Sequence, residues 1–474
     1  MPTTSSLAPT GAMTLIAPKI MPPLDPDFRP AVLANQSFQR DVRATGQAVP
    51  IRLALEQPDG SVFHFGTAIF PTAHPRATEN FFYIERLLKF LLWARGGCRI
   101  YFSGPDDLSR QLEQHYAQAK TGRFDSWLAG EQVYERHLEI VRTAEIPPER
   151  FNTRPLGRHL EGCRMGFDLG ASDRKVAAVI DGQVVFSEEV LWSPVPQTDP
   201  QWHFDQIMDS LKSAAQHLPR VDAIGGSAAG AYVKNRVMVA SLFRGVPPEI
   251  FQARVKDLFL EIQRAWGDIP FEIVNDGEVT ALAGSMAMGR NAVLGIAMGS
   301  SQAGGYVNRE GNITSWLNEL AFVPVDYSPT AAVDEWSGDK GCGALYFSQQ
   351  AVGKLLSPAG IELDAAVPLP EKLKQVQALM ESEDPGAKKI YETIGVYLGY
   401  AVAHYADFYD FENMLVLGRV MTGPGGEVIL AGARKVLQTE FPGLSERIGF
   451  HAPDEKEKRH GQAIAAASLP KLRK

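Results

Sequence analysis

The spacing of apolar residues changes character along the chain. Residues 49–56 and 61–70 alternate apolar and polar positions, the two-residue period of half-buried strands, and Pro58-Asp59-Gly60 between them is a turn. Residues 79–94 (ENFFYIERLLKFLLWA) are apolar around most of a helix and stop at Gly96-Gly97, which predicts a buried helix and then a short strand over 98–102. Helical spacing follows over 106–120 and 131–143, and Pro147-Pro148 marks a break. From residue 164 the pattern turns into short apolar strands interrupted by small residues. Strand 165–169 runs into Gly170-Ala171-Ser172, strand 176–180 returns, and Asp181-Gly182 turns again. A helix over 204–216 leads to a strand over 221–226 that ends in a flexible run, GGSAAGA (225–231). Next come a helix over 248–266, a strand over 271–274 stopping at Asn275-Asp276, and a helix over 277–288. The strand–tip–strand pattern then recurs as 293–298, a Gly/Ser turn over 299–304, and 305–307. Helices over 339–356, 370–381, 385–409 and 427–438 follow, with a strand over 414–417 ending at Gly418 and a closing small-residue helix, GQAIAAASLP. Residues 1–30, rich in Pro, Thr and Ser, read as a mostly disordered tail.

Composition narrows the classes. A chain of 474 residues has room for two to three domains with sizeable cores. The net charge of −8 gives no global attraction for nucleic acid or anionic membrane. Residues 31–160 hold 16 Lys/Arg against 14 Asp/Glu without a basic stripe, so this first unit reads as a structural or interaction module, not a DNA-binding one. Cys98, Cys163 and Cys342 lie far apart, which excludes a disulfide framework and CxxC zinc spacing and fits a reducing, cytoplasmic setting. No stretch reaches the ~18–20 uninterrupted apolar residues of a membrane helix, and the N-terminus lacks the pattern of a signal peptide.

The chemistry concentrates where strands end in small polar tips. Asp168 sits just before the first tip, where backbone N–H groups can meet a phosphate and a carboxylate can hold a metal-bound water. Asp276 stands at a strand-to-helix junction, a position for a carboxylate that takes a proton from a hydroxyl; Asn-Asp before a helix is also a common cap. Gly299, Ser300 and Gly304 can be a plain hairpin turn or a second phosphate grip. Lys175 reads as an outward, solvated side chain, and Glu319 by itself as a surface charge.

Taken in order, these pieces resemble the actin–hexokinase-type ATPase superfold and, within it, the ROK family of sugar kinases and sugar-responsive repressors, over roughly residues 164–470. GFDLGAS (166–172) is similar to the family's first phosphate loop, GxDxGGT, and VNDGEVTALAG (274–284) to its VENDANAAALGE signature. GIAMGSSQAGGYVNREG resembles the second phosphate loop, NELAF (318–322) the GEIGH motif, GCGALYFSQQAV (341–352) GCLEAYASGPAI, and MLVLGRV the adenosine strand. The closing GQAIAAASL resembles the family helix that returns to the first lobe. The resemblance implies Asp276 as catalytic base and Asp168 as organiser of Mg²⁺ through water. Phosphate or ATP contacts fall on Asp168, Gly170, Ser172, Gly299, Ser300, Ser301, Gly304, Gly418 and Arg419. Substrate contacts fall on Asn275, Glu319 and Ser227. The family's zinc histidine is here Phe322, its cysteine cluster is reduced to Cys342, and the glutamate of GCLE is Ala344, so no zinc is expected. Arg419 replaces the second glycine of the adenosine motif and can stack on the base, contact a phosphate or block the pocket.

The implied fold is α/β, two-lobed and actin/hexokinase-like (ribonuclease H-like), with an additional N-terminal α+β domain. The expected divisions are a tail over 1–30, the N-terminal domain over 31–160, a small lobe over 161–288 and a large lobe over 289–474, with the last helix returning to the small lobe. The implied activity is ATP- and Mg²⁺-dependent phosphoryl transfer to a sugar or related polyol. A non-catalytic relative that binds a sugar or nucleotide as sensor or scaffold is the alternative, and a sugar-responsive DNA repressor is disfavoured by the balanced charge of the first unit. The expected partner is a small sugar-like molecule, without membrane or nucleic acid, and a homodimer is left open.

Overall fold

The computed structural model describes residues 13–152, 155–452 and 455–473, the side chains of 455–460 excepted. Three mixed sheets carry it. In the first, β1 (Val49–Glu56) pairs antiparallel with β2 (Val62–Ile69) and with β3 (Arg99–Ser103), and β4 (Glu139–Arg142) joins β3 in parallel. Here the structure corrects the helix expected over 131–143. Ser126–Val133 is a π-helical segment and Glu139–Arg142 is a strand. Ile140 and Val141 are β-branched, and the free edge of β3 offers backbone partners that a short isolated helix lacks.

The second sheet starts with β5 (Cys163–Leu169), β6 (Asp173–Ile180) and β7 (Gln183–Leu191), an antiparallel meander, and continues with β8 (Ala223–Ala228) parallel to β5. A small hairpin, β9 (Ala231–Val233) and β10 (Arg236–Val239), precedes β11 (Phe271–Asn275), which lies parallel to β8. The order is β11-β8-β5-β6-β7. The third sheet repeats the same plan: a hairpin of β12 (Val293–Met298) and β13 (Gln302–Val307), then β14 (Asn413–Leu417) and β15 (Gly449–His451) in parallel, in the order β13-β12-β14-β15. Two lobes of related topology thus face each other, each presenting a hairpin tip.

The GGSAAGA run is not a flexible loop. Its first four residues belong to β8 and are buried. The reason is the closing helix, Glu455–Ala467, which crosses back to lie on β5, β6 and β8. A Cβ at Gly166 would overlap the Ala463 carbonyl, and one at Gly225 the Ala466 carbonyl, so both strands need glycine for backbone-to-backbone packing. Gly166→Ala is therefore expected to lower stability by at least about 1–3 kcal/mol, the usual cost of overpacking, read as a lower midpoint of thermal unfolding.

The tail expectation is corrected over 13–30; residues 1–12 lie outside the described residues. Met13 and Phe28 are buried. The Phe28 ring packs 4.8 Å from that of Tyr397, whose hydroxyl donates to Asp25. The amides of Ile20 and Leu24 donate to Tyr400 and Thr393. The extended, Pro-rich strip is held by these side-chain contacts with the Pro385–Ala406 helix, and so needs no repeating backbone pattern of its own.

The first unit does not stand apart. One continuous apolar core joins Leu53, Leu88, Phe90 and Trp93 to Ile296, Tyr346, Tyr405 and Phe408. The Glu79–Arg95 helix is its spine, and Lys89 and Arg86 are buried with it only because Asp125, Asp339 and Glu85 pair with them. The second sheet has a separate core around Phe167, Ile207, Phe259 and Phe271. Two longer helical expectations are broken up. Residues 248–266 divide into Pro248–Ile250, Phe251–Val255 and Leu258–Ala265, and of 339–356 only Gly343–Leu345 and Gln349–Leu355 are helical. No helix among the described residues is long and apolar enough to cross a membrane.

Candidate active site

The hairpin β5–β6 turns through Gly170, Ala171 and Ser172. The Gly170 amide donates to the Asp173 carbonyl (2.9 Å), and the Trp192 indole donates to the Gly170 carbonyl (2.7 Å), which fixes the turn. Ala171 and Ser172 are exposed at its apex. Asp168, one step below, is buried. Ser227, fully buried on β8, donates to its Oδ1 at 2.7 Å. Ser227 is thus placed behind Asp168, as its anchor, and not on an open wall. Burial raises the Asp168 pKa, and the Ser227 hydrogen bond acts against that rise.

Lys175 is not solvated, as its position in the sequence suggested. Its ammonium lies 2.9 Å from Asp173 Oδ1 and 3.8 Å from Asp168 Oδ2. β6 has no outward face: the Pro200–Ala215 helix covers one side, where Arg174 is buried, and the closing helix packs on the strand as well. Asp173 also feels the positive charge of Arg419, so the first tip and the loop after β14 approach one another electrostatically. Arg419 itself is exposed, with its carbonyl held by the Gln377 amide at 2.8 Å.

The second tip is shorter than expected. Gly299, Ser300 and Ser301 form it, with the Gly299 amide donating to the Ser301 carbonyl and the Gln349 amide to the Gly299 carbonyl. Gly304 lies within β13 and is buried; a Cβ there would come within 2.6 Å of the Asn318 carbonyl, which accounts for glycine at this position by packing. Gly418, at φ 103°, lies against the Met298 backbone at the end of β12. Two small tips, 170–172 and 299–301, and the 418–419 turn are the placements found for the expected phosphate and nucleotide contacts.

The Asn-Asp pair divides its two tasks cleanly. Asn275 is the helix cap, its Oδ1 accepting from the Gly277 amide (2.7 Å) and its Nδ2 donating to the Gly230 carbonyl (2.8 Å). Asp276 begins the Asp276–Met288 helix, with the Gly277 amide donating to its Oδ1 at 2.9 Å. Burial pushes its pKa up to about 6, and the negative charge of Asp168 pushes in the same direction. Asp276 in turn helps raise Glu319, which burial takes to about 7. Asp276 is therefore within electrostatic reach of both the carboxylate below the first tip and the carboxyl of Glu319.

Glu319 and Asn275 line a cavity of about 500 Å³. Its walls come from β9–β10, β11, residues 314–317 and two pieces of the first unit: the β1–β2 turn (Pro58, Asp59) and Val133–Arg136. The first unit also shapes this place from below. The amides of Asn318 and Glu319 donate to the carbonyls of Ala94 and Trp93 (3.0 Å each), the last turn of the Glu79–Arg95 helix. Glu135 reaches across to Lys256 (2.6 Å) and Arg236 (2.7 Å) of the second-sheet lobe, and Val133 packs with Ala231 and Met238. Phe322, at the histidine position of the resembled motif, packs with tilted rings against Trp93 (4.4 Å between centroids) and Phe124 (5.5 Å).

Glu278 is the residue the sequence reading passed over. It stands where the VENDANAAALGE signature has its second asparagine, and that exchange was the available signal. It lines the cavity and is only 5% exposed. Asn318 donates to its Oε1, and Tyr409 holds Asn318 in turn at 2.7 Å.

Solved structures share this architecture. The ROK hexokinase of Thermus thermophilus superposes on 64% of this chain and 96% of its own, with a TM-score of 0.51 and 18% identity. A ROK family glucokinase from Streptomyces griseus, in complex with glucose and AMPPNP, covers 65% of this chain and 98% of its own at a TM-score of 0.47 and 20% identity. A ROK family transcriptional regulator, a homologue of the E. coli MLC protein, covers 65% and 79% at a TM-score of 0.48 and 18% identity. No protein-family model matches the chain, and no curated protein matches it. The fold is thus the two-lobed actin/hexokinase type. Within that type it is similar to a ROK hexokinase, the likeness covering about two thirds of the chain.

Proposed function

We propose that the protein transfers the terminal phosphoryl group of ATP to a hydroxyl of a sugar or related polyol, with Asp276 as the base. One observation carries this reading: Asp276 begins a helix and is electrostatically coupled both to Asp168, under a small polar tip, and to Glu319, which with the neighbouring Asn275 lines the cavity. Phosphoryl transfer asks for that order of parts, because its catalysis is mostly positioning and charge stabilisation around an in-line displacement. A hydroxyl bound in the cavity would give its proton to Asp276 as it attacks, and the carboxylate raised to about 6 is a better acceptor than an ordinary aspartate while still ionised at neutral pH.

Asp168 fits a magnesium ion held through water. Its hard oxygens suit that cation, Oδ1 is anchored by Ser227, and Oδ2 faces Lys175 at 3.8 Å. The ion, bound with the nucleotide, would neutralise phosphate charge; the amides of Ala171, Ser172, Ser300 and Ser301, with Lys175, would bind and orient the phosphates. Ser172, Ser300 and Ser301 add hydroxyl donors at the two apices.

The pH profile tests the assignment. Asp276 must be a carboxylate to accept the proton, so kcat should be flat at neutral pH and fall tenfold per unit as pH drops below about 6. Initial rates of ADP release with a turned-over sugar, measured from pH 5 to 8 at saturating substrate, give the limb directly. A profile that stays flat to pH 5 contradicts Asp276 as the base.

A further inference from the structure

The cavity floor holds two carboxyls that no cation of the protein answers among the described residues. Glu278 is nine-tenths buried, and apart from a weak contact with the Tyr306 amide its Oε2 has no hydrogen-bond partner among the described residues. Its other oxygen is fixed by Asn318, so the carboxyl cannot swing out to water. Glu319 lines the same cavity, and among the described residues no cation pairs with either carboxyl. The basic side chains that line the cavity do not pair with these carboxyls: Arg236 is held by Glu135 and Asp257, and Lys234 and Arg136 are exposed. An orphaned, buried carboxyl is costly to keep, and a ligand that brings a cation to it recovers that cost.

We propose that the acceptor carries a protonated amine among its hydroxyls, an amino sugar or aminopolyol, and that Glu278 together with Glu319 recognises the ammonium. This rests on the cavity being the acceptor site of the proposed kinase. Burial holds Glu278 up to about 8 and Glu319 up to about 7, so Glu278 is mostly protonated at neutral pH; an incoming ammonium stabilises its ionised form, the proton passing to solvent, and a neutral hydroxyl brings no such gain. A charge-assisted hydrogen bond in a confined site gives the amine its preference over the hydroxyl analogue. The glutamate at 278 is then a specificity residue: it selects the ligand, while Asp276, two positions earlier on the same helix, takes the proton.

Calorimetric titration of the full chain with matched pairs tests this: 2-amino- and 6-amino-hexoses against the parent hexoses, with the N-acetyl derivatives as neutral controls. The expected result is that at least one amine binds roughly 10–100-fold more tightly than its parent, that N-acetylation removes the gain, and that Glu278→Gln removes it too while parent-sugar binding is kept. Equal binding within every pair, or no binding by any amine, overturns the inference, and so does a gain that persists in Glu278→Gln. If that variant does not fold, the N-acetyl comparison on the unaltered protein decides alone. Phosphate transfer is assayed separately on the same ligands: preferred binding without transfer sinks the kinase reading and leaves this one standing, whereas transfer to neutral sugars only does the reverse.

Discussion

Asp276→Asn is expected to lower kcat by roughly 10²–10⁴-fold, the range that general acid–base catalysis contributes, with acceptor binding nearly unchanged. The substitution is almost isosteric. The Gly277 amide can still donate to the Asn side-chain oxygen at this position, and the cap itself belongs to Asn275, whose hydrogen bonds are untouched. The helix therefore keeps its start. What disappears is the carboxylate coupled both to Asp168 under the first tip and to Glu319 in the cavity wall. Removing the charge also relieves Asp168 and Glu319, which both lie in its field, so folding stability should hold or rise slightly. Single-turnover phosphate transfer and calorimetric acceptor binding, measured on the same preparation, separate the two effects. A variant that loses binding along with turnover would mean that Asp276 holds the ligand and does not carry the chemistry.

The second large effect concerns the first unit. Phe90→Ala is expected to cost about 3–5 kcal/mol, the usual range for emptying a buried aromatic site. Phe90 is 1% exposed and stacks on Phe408 at 3.8 Å, with His404 edge-on at 4.9 Å. The two partners close the Pro385–Ala406 helix of the third-sheet lobe, so the lost contact spans what the sequence suggested were separate domains. If the core is continuous, chemical denaturation of the variant shows one transition at a lower midpoint for both parts, with no early, separate melting of residues 31–142. A separate, earlier transition of residues 31–142 would contradict the shared core. The same continuity gives the first unit a role at the site. The end of the Glu79–Arg95 helix holds the amides of Asn318 and Glu319, and Glu135 ties the unit to the opposite lobe.

Local signals carried well into the structure. The hairpin tips, the strand ending at Asn275-Asp276 and the closing small-residue helix are each set by a few neighbouring residues, and β1, β11 and β12 fall where alternation and apolar runs placed them. What failed was what depends on a distant partner. Residues 79–94 announced a buried helix, since Glu79, Asn80, Glu85, Arg86 and Lys89 aside they are apolar on all sides, but nothing in them says that Phe408 and Tyr346 lie opposite. Lys175 was misread because an alternating strand has an outer face only if one side of its sheet is open, and here it is not. Residues 139–142 became a strand because β3 had a free edge, a fact of the fold and not of the segment. Glu278 escaped for a simpler reason: as an acidic residue in the first turn of a helix it looks like a solvated one, and only the cavity and Asn318 reveal that it is buried.

The most direct measurement of the central claim is phosphate transfer from Mg–ATP by the unaltered protein to a panel of hexoses, aminohexoses and polyols, with the product identified by mass spectrometry and ADP release followed in parallel. The account predicts a phosphorylated product from at least one acceptor, formed in step with ADP and lost in Asp276→Asn. Saturable, stabilising binding of an acceptor with no phosphorylated product from any member of the panel would contradict it, and would make the protein a ligand-binding relative in which the base no longer acts.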